Sequence, residues 1–274
     1  MSDHPSLQPY ADAWTHSIEA ISALVRPLAE REWNRATSCP GWSVRDVVSH
    51  VIGLECELLG DPRPIHTLPR DLYHVTDETS RRMEVQVDVR RHHTGAEMTA
   101  ELEYTIIRRA RQLRNDKRGP DKTLRHPLGH TVTSEAMLRE RAFDVWAHEQ
   151  DLRRALGAPG HLDAPGALVA RDVLIEALPE VVAHRASAPA GSAVVFDVHG
   201  PVEFLCTVRV DAEGKGAVSS TPSLGPVVTF TLDWETYVRL ACGRVRPQAV
   251  ADQVKVEGDE RLAGAILAHF AVTP

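Results

Sequence analysis

No stretch of this 274-residue chain approaches about 18 consecutive apolar residues, so no segment is expected to span a membrane. The opening MSDHPSLQPY lacks a basic region followed by an apolar core, so no secretory signal is expected there. Basic residues are in deficit. Lys and Arg total 31 against 38 Asp and Glu, the net charge is −7, and no dense basic tract occurs. Neither nucleic acid nor an anionic membrane is therefore an expected partner. Cysteine is scarce: Cys39, Cys56, Cys206 and Cys242 are scattered, with no CxxC spacing. That argues against a zinc ribbon or a disulfide framework and suits a reducing, cytoplasmic location. The chain also lacks a GxSxG elbow, a P-loop, a GxGxxG loop, internal repeats and low-complexity segments.

What remains is ordinary for a folded chain. Hydrophobic residues make up 43% and charged residues 25%, with length for two domains and two modest cores. Fourteen histidines is a high count, but most are expected at the surface, and the count alone selects none. The first half reads as helices. Residues 8–30 space Trp14, Ile18, Ile21, Leu24, Val25 and Leu28 by threes and fours. Further helices are expected at 43–59, 76–92, from Thr94, and at 133–156, with 61–75 and 117–132 as loops. Together they suggest an up-and-down bundle with one long loop before its last helix. Beyond about 190 the period changes. AVVFDVHG, EFLCTVRV and VVTFTL alternate as short strands, the first two as a hairpin through Gly200–Pro201. Short helices are expected over Asp233–Cys242 and Asp259–Phe270. The second half is thus α+β, joined by GAPGHLDAPGA and a helix at 167–186. The expected domains are 1–160 and 161–274, with the join within 157–190.

Two segments carry candidate chemistry. In TSCPGWSVRDVVSHVIG, Pro40–Gly41 makes a turn, and Ser43 with Asp46 forms a helix cap. Val44, Val47, Val48, Val51, Leu54 and Leu58 then form an apolar stripe. His50 falls just outside it, at its border, where it either donates to a neighbour or serves as a ligand; this helix alone does not decide. In ERAFDVWAHEQDLRRALG, Asp144 and His148 are four apart and share a face with Arg141 and Asp151. The helix is apolar on several other sides, so this polar stripe is not a simple solvated face. A carboxylate and an imidazole one turn apart are a common metal-binding pair, which a histidine from another helix would complete. The alternative is an i,i+4 Asp–His pair with an Arg–Asp salt bridge, worth a few tenths of a kcal/mol. His126 and His130 are also four apart, but Pro127 and Gly129 place them in a loop over the bundle. His92–His93 read as surface residues on a helix. Cys39 is either a nucleophile before a helix N-terminus or a packed turn residue.

CPGWSVRDVVSH followed a hundred residues later by RAFDVWAHEQDLRRALG resembles the mycothiol-dependent maleylpyruvate isomerase family. GPVVTFTLDWETYVRLACGR and VKVEGDERLAGAIL extend the resemblance over most of the chain. It implies an N-terminal DinB-like four-helix bundle followed by a smaller sterol-carrier-like α/β domain. It implies His50, Asp144 and His148 as ligands of a divalent metal, with zinc the expected ion. The family pattern has Glu where this chain has Asp144, one methylene shorter, so the helix must approach more closely or the ion must shift. The resemblance also implies Arg244, in a Gly–Arg pair, as a catalytic residue near thiol or substrate. Asp151 is then available to orient His148, and Arg141 to pair with Asp144 or Asp151.

The cofactors implied are the metal and mycothiol, and the other partner is a small electrophilic or unsaturated-acid substrate. A metal-held thiolate would add to a conjugated cis double bond, allow rotation and leave; S-transfer shares the first half of that chemistry. Three functional readings follow. The first is a mycothiol-dependent isomerase or S-transferase. The second is a DinB-type metal hydrolase without thiol. The third is a non-enzymatic protein that holds a hydrophobic ligand in its second domain.

Overall fold

The computed structural model describes residues 5–221, 223 and 225–273. The first four residues of the stretch read for a secretory signal lie outside them. The chain divides into two compact units between Val169 and Ala170.

The first unit is helical. Its elements are α1 (Gln8–Val25), α2 (Val44–Leu59), α3 (Glu78–Asp88), α4 (Gly95–Arg114) and α5 (Ser134–Leu156). The expected 8–30 helix stops at Val25, because Pro27 has no N–H to continue it; a 3-10 turn at Glu30–Asn34 follows. The caps are built as their residues imply. Ser43 N–H donates to Asp46 Oδ2 at 2.9 Å while Asp46 N–H donates to Ser43 Oγ at 3.3 Å. Thr94 and Glu97 repeat the arrangement at α4. α3 ends at Asp88, so His92 and His93 lie in the turn after it and not on a helix as expected. The loop expected over 117–132 contains a small hairpin, β1 (Thr123–Arg125) and β2 (Thr131–Thr133), paired Leu124 to Val132.

α1 packs on α4 and α5, and α2 packs on α3, α4 and α5. Trp14, Ile18 and Ile21 of α1, Val47, Val48 and Val51 of α2, Met98 and Leu102 of α4, and Val145, Trp146 and Leu152 of α5 fill the interior and are shut off from solvent. One carboxylate lies among them. Glu55 of α2 has no exposed surface. It accepts from Trp14 Nε1 of α1 at 2.9 Å, from Arg109 Nε of α4 at 2.9 Å, and from Arg141 Nη2 of α5 at 2.9 Å. One side chain thus bonds to all the long helices of the unit. Burial pushes its carboxyl up, but the Arg141 and Arg109 guanidiniums outweigh this and hold it below the ordinary 4.5.

The second unit is α+β. α6 (Pro165–Pro179) runs through the division into a π-helical turn at Glu180–Arg185. Then come β3 (Ala193–His199), β4 (Phe204–Val210), β5 (Gly216–Ser219), β6 (Val228–Asp233), α7 (Trp234–Ala241), β7 (Val254–Gly258) and α8 (Glu260–Ala268). The sheet order is β5-β4-β3-β6-β7. β3 and β4 form the expected antiparallel hairpin, Phe196 opposite Cys206. β6 lies parallel to β3, Phe230 beside Phe196, and β7 returns antiparallel. Phe196, Phe230, Trp234, Tyr237 and Phe270 form the aromatic core. β5 and β7 add to the three strands expected from the sequence. No described helix in either unit is long and apolar enough to cross a membrane.

The buried carboxylate makes a stability prediction. Glu55→Gln keeps the shape but removes the carboxylate that Arg109 pairs with and leaves Arg141 only Asp144, and should cost about 3–5 kcal/mol in urea unfolding. Its folded pKa is lowered, so its contribution is complete above the unfolded value near 4.5 and is lost as pH falls through the folded value. The stability gap between wild type and Glu55→Gln, measured against pH, should therefore be flat near neutrality and narrow only below about 4.5.

Candidate metal centre

His50 projects from α2 and Asp144 and His148 from α5, two helices packed side by side. The cap at Ser43 and Asp46 fixes where α2 begins, and so where His50 comes to lie. The two imidazoles face each other across the Asp144 carboxylate. His50 Nε2 is 3.7 Å from Asp144 Oδ2, and His148 Nε2 is 3.6 Å from Asp144 Oδ1. The rings meet edge-on, centroids 4.8 Å apart at 71°. One donor atom from each residue lies within 4.8 Å of the other two. These gaps are too long for hydrogen bonds. They are slightly wider than the roughly 3.3 Å edge of a tetrahedron whose ligands stand about 2.0–2.1 Å from zinc. Two imidazole nitrogens and one carboxylate oxygen form a donor set that suits zinc and its neighbours. The residues present therefore fit the group. The shorter Asp reaches as far as both rings.

The charges suit the same purpose. Burial pushes the His50 imidazole below its usual 6.5, against the opposing pull of Asp144; His148 and Arg141 push it down further. His50 is thus neutral near pH 7, with a lone pair to give. Asp144 is raised by burial but lowered more by Arg141, His148 and His50, so it stays well below the usual carboxylate range. Arg141 Nη1 donates to Asp144 Oδ2 at 2.6 Å while Nη2 of the same guanidinium holds Glu55. Asp144 is the more open of the three, its side chain 28% exposed against 7% for His50 and 6% for His148.

Behind the ligand atoms lies a second layer. Asp151 Oδ2 is 3.2 Å from His148 Nδ1, which favours the tautomer that donates from Nδ1 and leaves Nε2 unprotonated, with a lone pair for a metal. The same oxygen accepts from Cys39 Sγ at 3.0 Å. Cys39 is buried, 5% exposed. Its thiol, Asp151 and His148 bring ligand atoms within 4.8 Å of one another. Trp42 lies over the imidazoles, 5.0 Å from the His50 ring and 6.2 Å from that of His148. Its Nε1 donates to Glu84 Oε2, which also meets His74 Nε2, both at 2.9 Å. Gly41 (φ 75°) leaves no room for a Cβ because the His74 ring presses against it, which is why the Pro40–Gly41 turn requires glycine.

Three participants went unassigned on sequence. Glu55 is an acid four residues after Val51, on the apolar side of α2, and that misplacement was the available signal. Arg109 and Trp42 carried none beyond their type. Of the other candidates, His126 and His130 stack in the β1–β2 turn, centroids 4.3 Å apart, and His126 pairs with Glu140 at 3.0 Å. They are not brought to the centre. Arg244 lies in the second unit after α7, where its Nη1 donates to Cys242 O at 2.7 Å.

Residues 14–153 match the mycothiol maleylpyruvate isomerase N-terminal domain, and residues 169–265 match the MDMPI C-terminal domain. Among solved structures, the crystal structures of mycothiol-dependent maleylpyruvate isomerase and of a histidine-to-alanine mutant of it are similar to this chain. Each is 16% identical, with 92% of both chains covered and a TM-score of 0.57. At that identity the likeness speaks to the fold. The solution structure of sterol carrier protein domain 2 of Helicoverpa armigera is 24% identical, covering 36% of this chain and 81% of that one, with a TM-score of 0.29. No curated protein matches the chain.

The electrostatics predict a measurable order of titration. In metal-free protein, His50 followed by NMR should titrate below 6.5. Asp144→Asn should lower it further, because Asp144 is the group that favours the imidazolium. An increase on that substitution would show that the carboxylate does not act on His50.

Proposed function

Because the chain belongs to the mycothiol maleylpyruvate isomerase family, we propose that it is a metal- and thiol-dependent enzyme, a mycothiol-using isomerase or S-transferase, with His50, Asp144 and His148 as the metal ligands. The observation that carries this reading is the convergence of two imidazoles on one carboxylate, with gaps of 3.6 and 3.7 Å. Zinc bound there would favour the thiolate form of a coordinated thiol at neutral pH, supplying a nucleophile without a strong protein base.

The remaining work belongs to the chain. His50 supplies a neutral nitrogen because burial keeps it unprotonated. Asp144 supplies the negative charge, which Arg141 maintains. His148 is turned by Asp151 so that Nε2 faces the centre. Trp42 covers the two rings on one side and limits the approach of water. These roles are the same for isomerisation and for S-transfer, so the ligands do not choose between them. Arg244 is proposed as a carboxylate-binding residue on the family resemblance alone; a guanidinium is suited to that task by its paired donors.

The test is metal uptake followed by turnover. Wild-type protein should bind zinc tightly, and His50→Ala should lose that equivalent while remaining folded. Three protein ligands of which one is removed should cost at least about tenfold in affinity, the scale seen for losses even outside the first shell. Turnover of a conjugated cis-unsaturated acid or an electrophile should then require added mycothiol. Turnover with metal but without thiol would replace this reading with a hydrolase. Wild type that gains no ion on titration would remove both enzyme readings.

A further inference from the structure

Glu149 directly follows His148, so it points about 100° further round α5. There it meets a second set of donors. His16 of α1, Glu149 of α5 and His161 of the loop after α5 each bring one ligand atom within 4.8 Å of the other two. The His16 and His161 rings are 4.7 Å apart, inclined at 55°. Glu149 is fully buried.

The loop is built to hold His161 in place. Trp146 Nε1 donates to His161 O at 3.0 Å, Gln150 Nε2 to Gly160 O at 3.2 Å, and Arg153 Nη1 to Ala158 O at 3.1 Å. Three side chains of α5 thus fix the loop backbone. His161 itself is held at φ 59°, a left-handed conformation that is uncommon outside glycine and is associated with functional positions.

An ordinary salt bridge accounts for half of the cluster. Glu149 Oε1 accepts from Arg153 Nε at 2.7 Å and lies 2.6 Å from His161 Nδ1. It leaves the other half unexplained. Glu149 Oε2 and His16 Nδ1 are both buried with no hydrogen-bond partner. Leaving a buried carboxylate oxygen and a buried imidazole nitrogen unsatisfied is costly, and such groups are rare. Arg153 Nη2 also lies 2.8 Å from His161 Nδ1, so that nitrogen faces a donor and an acceptor at once and cannot serve both. A cation between Oε2 and the two imidazoles satisfies the first two atoms and leaves Arg153 to hold Oε1 from outside.

We propose that His16, Glu149 and His161 form a second divalent-metal site, for zinc or a similar nitrogen-preferring ion, that ties α1 and the 157–164 loop to α5. Two imidazoles and a carboxylate give it the chemistry of a zinc site and not of a magnesium or calcium site. The Arg153 guanidinium beside Glu149 makes it weaker than a site with an unshared carboxylate. It shares no ligand with the centre at His50, Asp144 and His148, and does not depend on the catalytic reading.

The test counts zinc equivalents in the metal-free full chain by competition with a chromophoric chelator. Wild type should take up two. His161→Gln and His16→Gln should each take up one, and His50→Ala should retain one. The double variant His50→Ala with His161→Gln should take up none. Zinc should raise the melting temperature of His50→Ala but not that of the double variant. Retention of the His50-dependent equivalent shows that a His16 or His161 variant is folded, and two separate variants guard against loss of one. A single wild-type equivalent that His50→Ala abolishes would overturn the proposal and leave the first centre standing. A second equivalent that survives both His16→Gln and His161→Gln would overturn it as well. Uptake confined to the second set would remove the first centre and leave this proposal intact.

Discussion

A fully buried carboxylate organises the first unit. Glu55 has no solvent, and an unpaired charge in that position would cost several kcal/mol. It is satisfied only when α1 brings Trp14, α4 brings Arg109 and α5 brings Arg141. Apolar packing between these helices tolerates small slides, since one valine contact resembles another. Hydrogen bonds of 2.9–3.1 Å to one carboxylate do not. The network therefore sets the register of the helices on which the candidate centre depends.

The link from that network to the centre is a single guanidinium. Arg141 holds Glu55 with Nε and Nη2 and Asp144 with Nη1. Its charge is shared between an anion that fixes the core and an anion at the cleft. Burial alone would raise the Asp144 carboxyl; Arg141, with His148 and His50, outweighs it and holds the group well below the usual carboxylate range. The same bond answers the question raised by the shorter side chain. Asp has one torsion fewer than Glu to position its carboxylate. Anchored by Arg141 at 2.6 Å, it stands between His50 and His148 at nearly equal distance from both.

Much of this was legible in the sequence, for reasons that differ by element. The caps Ser43–Asp46 and Thr94–Glu97 could be read because capping is local: donor and acceptor lie three residues apart. The strands β3, β4 and β6 could be read because their alternation runs over six or seven residues. β1, β2 and β5 are three or four residues long, too short for alternation to register. The spacing of Asp144 and His148 pointed to a shared face, whereas the approach of His50 to that face came only from the family resemblance. Glu55 escaped because its partners are 41, 54 and 86 residues away. Its place on the apolar side of α2 marks it as an acid out of position, but nothing local names the partners that satisfy it.

α5 shows why its polar residues could not be treated as a surface stripe. Arg141, His148, Glu149, Gln150 and Asp151 are all buried. A helix that buries five such side chains within about three turns gains little from the hydrophobic effect there and must recover the desolvation cost through specific partners. Each has such partners: Arg141 has Glu55 of α2, His148 has Asp151, Glu149 has His161, Gln150 has Gly160, and Asp151 has Cys39. Among the buried atoms left without a hydrogen-bond partner are His50 Nδ1, Glu149 Oε2 and His16 Nδ1. Arg141 pairs with both Glu55 and Asp144, whereas Glu149 pairs through Oε1 and leaves Oε2 without a partner. The first centre is thus held by pairs already made within the chain, whereas the Glu149 cluster keeps a buried carboxylate oxygen with no donor to satisfy it.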